Sequence, residues 1–168
     1  MDLWRGYRSR EHADLEFAVL PDQAGHCRRL LSDLDFFAAR AGILTHLPAA
    51  DALPADLWQL WGADMAAGFW RVDMMIERGP PEVWVCKRHP AIRLPRAAAI
   101  RRTPAGISYL APALVLLFKA KHRRAKDERD FHAALPDLDA SERADLRRWL
   151  EAVHPGHEWI GPLLGDRS

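Results

Sequence analysis

At 168 residues the chain suits one domain, or a core with an appended helical part, and with 49% hydrophobic residues that core needs no staple. A net charge of +1 argues against bulk nucleic-acid binding, because no global basic excess exists to neutralise a phosphate backbone. Cys27 and Cys86 match no metal spacing, no signal peptide opens the chain, and no apolar run reaches the roughly 18 residues of a membrane span, so a reduced, cytoplasmic protein is expected.

Met1 to Gly6 reads as one helical turn stopped by glycine. Leu15 to Leu20 alternates as a strand. Pro21-Asp22 then opens a helix whose apolar stripe is Cys27, Leu30, Leu31 and Leu34. Asp35–Ala39 and Ile43–Thr45 read as strands about the turn Arg40-Ala41-Gly42, while Leu57–Trp61 is readable as either a short helix or a strand. Gly68–Ile76 is a strand with Trp70, Val72, Met74 and Ile76 on one face and Arg71, Asp73 and Met75 on the other. Glu82–Lys87 is expected to pair with it as a hairpin, and short edge elements follow around Pro104-Ala105-Gly106.

From Ala111 the pattern turns helical: Ala113–Lys121, Lys126–Leu135, and a third helix capped by Ser141 with Leu146, Trp149, Leu150 and Val153 at helical spacing. The expected class is α+β, a mostly antiparallel sheet of four to six strands followed by a small helical bundle. A soft boundary near residue 108 separates a sheet core (1–108) from a helical part (109–168).

Chemistry concentrates at Asp14 and Glu16. Residues two apart on a strand share a face, so two carboxylates sit side by side where an apolar strand begins. A divalent cation between them would relieve the repulsion; the plain alternative is a strand with a wet outer face. Asp73, in mid-strand, is costly to bury unpaired, and Arg71 on the same face is one way to satisfy it. The other is convergence of Asp14, Glu16 and Asp73 on one or two Mg²⁺ ions that also take phosphate oxygens, which would make a phosphoryl-transfer site.

Three runs carry a resemblance: R-S-R-E-H-A-D-L-E-F-A-V, then W-R-V-D-M-M-I, then Y-L-A-P-A-L-V-L-L-F-K-A-K-H-R-R-A-K-D-E-R-D-F. In this order they resemble the nucleotidyltransferase superfamily, closest to the small bacterial branch of aminoglycoside 2''-adenylyltransferase-like and lincosamide nucleotidyltransferase-like proteins. The resemblance implies a polymerase-beta-like mixed sheet with flanking helices. It implies that Asp14, Glu16 and Asp73 bind Mg²⁺ with a nucleoside triphosphate, ATP foremost, and that Asp73 is the general base. The product would be a nucleoside monophosphate on a hydroxyl of a small molecule or protein.

The segment Lys126-Asp127-Glu128-Arg129-Asp130 also resembles the family. Lys126 and Lys121, together with Arg10 and His12 beside the carboxylates, are the candidates for contacting the nucleotide. The plain alternative is that Asp127 caps a helix and Lys119, Lys121, Arg123, Arg124 and Lys126 form a solvated basic face. The family also places a Gly-Gly or Gly-Ser pair ahead of its carboxylates as a phosphate cradle, and none stands between Met1 and Asp14. The expectation is therefore an enzyme whose cradle lies further upstream, or an impaired binding or regulatory protein of antitoxin-like kind. A metal-dependent phosphohydrolase ranks behind both. His154 and His157 flank a Pro-Gly turn and read as structural.

Overall fold

The computed structural model describes residues 1–9, 11–12 and 14–165. By its internal contacts the chain divides into two compact units, one of residues 10–81 and one of residues 1–9 with 82–168. The class is α+β. Among the described residues no helix is long and apolar enough to cross a membrane.

Helix α1 (Asp2–Arg5) is a single turn closed by Gly6 at φ 75°, a conformation that costs glycine nothing. It holds because Met1 and Trp4 pack on the second unit's core and the Arg5 guanidinium donates to the Ala133 carbonyl.

The first unit is one five-stranded mixed sheet with a helix. Strand β1 (Leu15–Val19) runs into helix α2 (Pro21–Leu30), and β2 (Asp35–Arg40), β3 (Ile43–His46), β4 (Gln59–Asp64) and β5 (Phe69–Ile76) follow. The lateral order is β1-β5-β4-β2-β3. β1 is parallel to β5 and every other pair is antiparallel. Pro21 opens α2 where its missing N–H would have had no partner. Ala24, Cys27, Leu31 and Leu34 face the sheet against Phe36, Leu60, Val72 and Met74, while Leu30, off that stripe, points to solvent. Arg28 is buried and donates to the carbonyls of Leu47, Pro48 and Asp51, which fastens the loop after β3 beneath the helix. Of the ambiguous Leu57–Trp61 segment, Gln59–Trp61 resolves as strand, and Leu57 just before it and Leu60 within it are fully buried.

Two expectations for β5 change. It does not form a hairpin with residues 82–87. Both its edges are occupied, by β1 and β4, and Pro80-Pro81 carries the chain away. Trp70 also leaves the Val72 face. Gly62 pairs with Val72 and Ala63 with Trp70, so Arg71 is an extra residue, a β-bulge that turns the strand's start over. The Trp70 ring consequently meets Trp61 and Phe37, edge-on at 5.3 and 5.4 Å. At this site a Cβ on Gly62 would lie 2.6 Å from the Val72 side chain, so glycine is required by close approach.

In the second unit β6 (Val83–Val85) pairs with β7 (Arg93–Pro95), a one-turn helix α3 (Arg96–Ala99) follows, and β8 (Ile100–Arg102) pairs with β9 (Ser108–Leu110). Helices α4 (Pro112–Lys119), α5 (Ala125–Ala134), α6 (Ala140–Val153) and α7 (Ile160–Leu163) enclose Leu114, Leu116, Phe131, Leu146, Leu150 and Trp159. The Phe131 and Trp159 rings stack at 4.3 Å. The cap of α6 is Asp139 rather than Ser141: its carboxylate accepts from the Glu142 N–H at 2.8 Å, and the Glu142 carboxylate accepts from the Asp139 N–H at 3.1 Å.

Candidate functional site

The sheet of residues 10–81 has two unlike faces. One is sealed by α2. The other carries a row running across the strands at matched register: His46, Phe37, Trp61, Asp73 and Glu16. Glu16 and Asp73 are direct partners on neighbouring parallel strands, which places two carboxylates side by side on one face. Asp14 lies at a bend one residue before β1 and lines the same cavity as Asp73. That cavity, of about 400 Å³, is walled by Trp61, Gly68, Phe69, Trp70 and Val72. Its size suits one ring system.

The local chemistry is set by three contacts. The Gln59 side-chain amide donates to both oxygens of Asp73, each at 2.8 Å. The Trp61 indole N–H is buried and has no acceptor among the described residues. Arg71 does not serve Asp73 in the way its shared face suggested: shifted by the bulge, it pairs with Asp64 at 3.2 Å. The Ala67 backbone N–H, at 2.9 Å, and then Arg71 hold the Asp64 carboxyl below its ordinary value. This fastens the tip of the β4–β5 hairpin.

Of the expected carboxylates, Glu16 and Asp73 are register partners, and Asp14 lines the cavity together with Asp73. They do not make a closed cage, because among the described residues no group of three His, Cys, Asp or Glu is placed to hold a metal ion. Of the proposed nucleotide contacts, His12 is exposed in the segment leading to β1. Arg10 lies outside the described residues.

Lys121 and Lys126 belong to the other unit, Lys121 exposed and Lys126 half-buried in the first turn of α5. Around them the basic run is only partly solvated. Asp127 is fully buried and accepts from the Arg124 backbone N–H at 3.2 Å and its guanidinium at 2.8 Å, with Lys119 at 3.5 Å. Lys119 also pairs with Asp130 at 2.8 Å. Burial pushes the Asp127 carboxyl up, but Arg124 and Lys119 outweigh it and hold the group below its ordinary value. Glu128 accepts from the Trp159 indole at 2.8 Å and, with Arg123 beside it, is held low as well. This constellation ties α4 to α5, and α5 to the last helical turn; Asp127 and Lys119 are structural.

His157 accepts at Nδ1 from the Trp159 N–H and contacts the Ala120 carbonyl at Nε2, so the H-P-G-H turn is also structural. Sequence reasoning missed Gln59, and its signal was weak: only a strand assignment for Trp58-Gln59-Leu60-Trp61 would have set it beside Asp73. No family model, no curated protein and no solved structure matches the chain.

Proposed function

We propose that this chain is a nucleotidyltransferase-like protein, with a polymerase-beta-like sheet, that moves a nucleoside monophosphate from a Mg²⁺-bound triphosphate to a hydroxyl of a small molecule or protein. The observation that carries the reading is the register of β1 against β5, which sets Glu16 opposite Asp73 while Asp14 shares Asp73's cavity. A cation would be drawn to a face where Glu16 and Asp73 are neighbours and Asp14 lines the same cavity. In this reading Asp14, Glu16 and Asp73 hold Mg²⁺, whose chemistry there is to neutralise phosphate charge. Asp73 also accepts the proton of the acceptor hydroxyl. Trp61, Trp70 and Phe69 offer flat walls to a ring. Lys121, Lys126, Arg10 and His12 are the candidates for contacting ATP or another triphosphate.

A second reading, a binding or regulatory protein on the same scaffold, is favoured by the lack of a ready-made three-ligand group among the described residues. One experiment separates them. Titrate wild type, Asp14→Ala and Asp73→Asn with Mg-ATP and other Mg-NTPs by calorimetry, and follow pyrophosphate release with mixed hydroxyl acceptors. Mg²⁺-dependent binding that weakens at least about tenfold in both variants supports the enzyme. Equal, negligible binding by all three proteins sinks it, and binding without pyrophosphate release favours the regulatory reading.

A further inference from the structure

The cavity on the open sheet face combines aromatic walls with carboxylate. β4 supplies Trp61, and the bulge that turns over the start of β5 supplies Trp70. The two indoles meet edge-on, with ring planes 76° apart and centroids 5.3 Å apart. Rings at nearly a right angle make a corner rather than a flat plate. Trp70, 40% exposed, and Phe69, 63% exposed, leave ring surface open to solvent. Asp14, also exposed, lines the same space of about 400 Å³.

The lining selects by charge. An anion would meet two carboxylates and, among the described lining residues, no lysine or arginine. A neutral apolar group would fill the corner without using the carboxylate. A small, strongly hydrated metal ion keeps its water and gains little from ring faces. An ammonium clothed in carbon satisfies both parts: it is weakly hydrated, its apolar shell rests on the negative faces of the rings, and a carboxylate supplies the counter-charge. We propose that this cavity binds an organic ammonium cation of the quaternary type, with Trp61 and Trp70 as its walls and Asp14 as its counter-charge.

The same aromatic surface already draws a cation from within the chain, for the Arg71 guanidinium lies 5.8 Å from the Phe69 ring centroid. Asp64 matches that charge at 3.2 Å, and the Trp corner is left to another occupant. Asp73 accepts from the Gln59 amide, so the direct ion contact falls to Asp14. Binding of such a cation needs neither Mg²⁺ nor a triphosphate and goes beyond the nucleotidyltransferase reading.

The test is a heteronuclear NMR titration of the full chain in EDTA, following the assigned indole N–H signals of Trp61 and Trp70. The probes are choline and the uncharged alcohol in which carbon replaces its nitrogen. Choline should shift both signals saturably, with a dissociation constant about tenfold or more below that of the uncharged probe. Trp70→Leu should weaken choline about fivefold or more. Asp14→Asn should do the same while leaving the uncharged probe unchanged. Equal affinity for the two probes, no saturable shift at either indole, or full choline affinity in Asp14→Asn overturns the proposal. Asp14→Asn, at an exposed bend, decides it alone if Trp70→Leu does not fold. Because no nucleotide or metal is present, failure here leaves the Mg-NTP titration to be judged separately, and failure there leaves this cavity's preference intact.

Discussion

The two units arrange charge in opposite ways. Residues 10–81 carry 11 Asp and Glu against 6 Lys and Arg, and the remaining residues carry 12 against 18. In the basic unit opposite charges meet: Lys119 lies between Asp127 and Asp130, Arg123 between Glu128 and Glu158, and Arg101 on Glu142 at 2.6 Å. In the acidic unit Arg71 meets Asp64 and Arg40 meets Asp56, but on the open sheet face Glu16 stands opposite Asp73, with Asp14 lining the same cavity as Asp73. Burial follows the same division, for Asp127 is sealed from water whereas Asp14 and Glu16 stand exposed. A carboxylate buried among cations is an architectural part, and removing it strands its partners.

That contrast is open to direct attack. The largest effect should be functional: if the proposed nucleotidyl transfer is this chain's activity, Asp73→Asn should lower it about 100-fold or more while leaving the melting temperature nearly unchanged, and a large loss of stability would erase the distinction. Next, Asp127→Ala should destabilise the helical unit by about 3 kcal/mol in urea titrations, because Lys119 and the Arg124 N–H lose a buried acceptor. Its pH dependence follows from the lowered pKa. The contribution of Asp127 is present above the unfolded value near 4 and is lost as pH falls through the lower folded value.

Gly62→Ala, at the crossing with Val72, should cost about 1–3 kcal/mol by overpacking and should disturb the sheet unit alone. Asp139→Ala should cost about 1 kcal/mol through the lost cap of α6. The smallest effect concerns His154. Burial, then the charges of His157, Arg88 and Lys121, lower its pKa, so the folded chain favours the neutral ring. Stability should therefore decline as pH falls below about 6.5, the unfolded value, and His154→Leu should flatten that decline between pH 7 and 5.

Much of this organisation was legible in the residues, for reasons that differ by place. Val72, Asp73 and Met74 alternate cleanly, so both the strand and the outward face of Asp73 follow from periodicity. Asp14 and Glu16 were visible for the same reason. Trp70 was misread because a bulge leaves no mark in alternation; it arises where Gly62 lets Val72 approach. The supposed hairpin partner at residues 82–87 failed because pairing depends on which edges are free, and β1 had already taken one. Lys119 looked like part of a wet basic face. Its pairing with Asp127 and Asp130 depends on how α4 and α5 fold back, which no local pattern encodes.

The bulge at Arg71 has a consequence for how this surface can vary. Because the extra residue absorbs any mismatch between the hairpin tip and the strand body, the tip at residues 64–68 is geometrically uncoupled from the ladder that fixes Asp73 opposite Glu16. Substitutions at Phe69, largely exposed and part of the cavity wall, can reshape the cavity and leave the register of Asp73 against Glu16 as it is. One extra residue thus separates a hairpin tip that can vary from a strand body whose register is fixed.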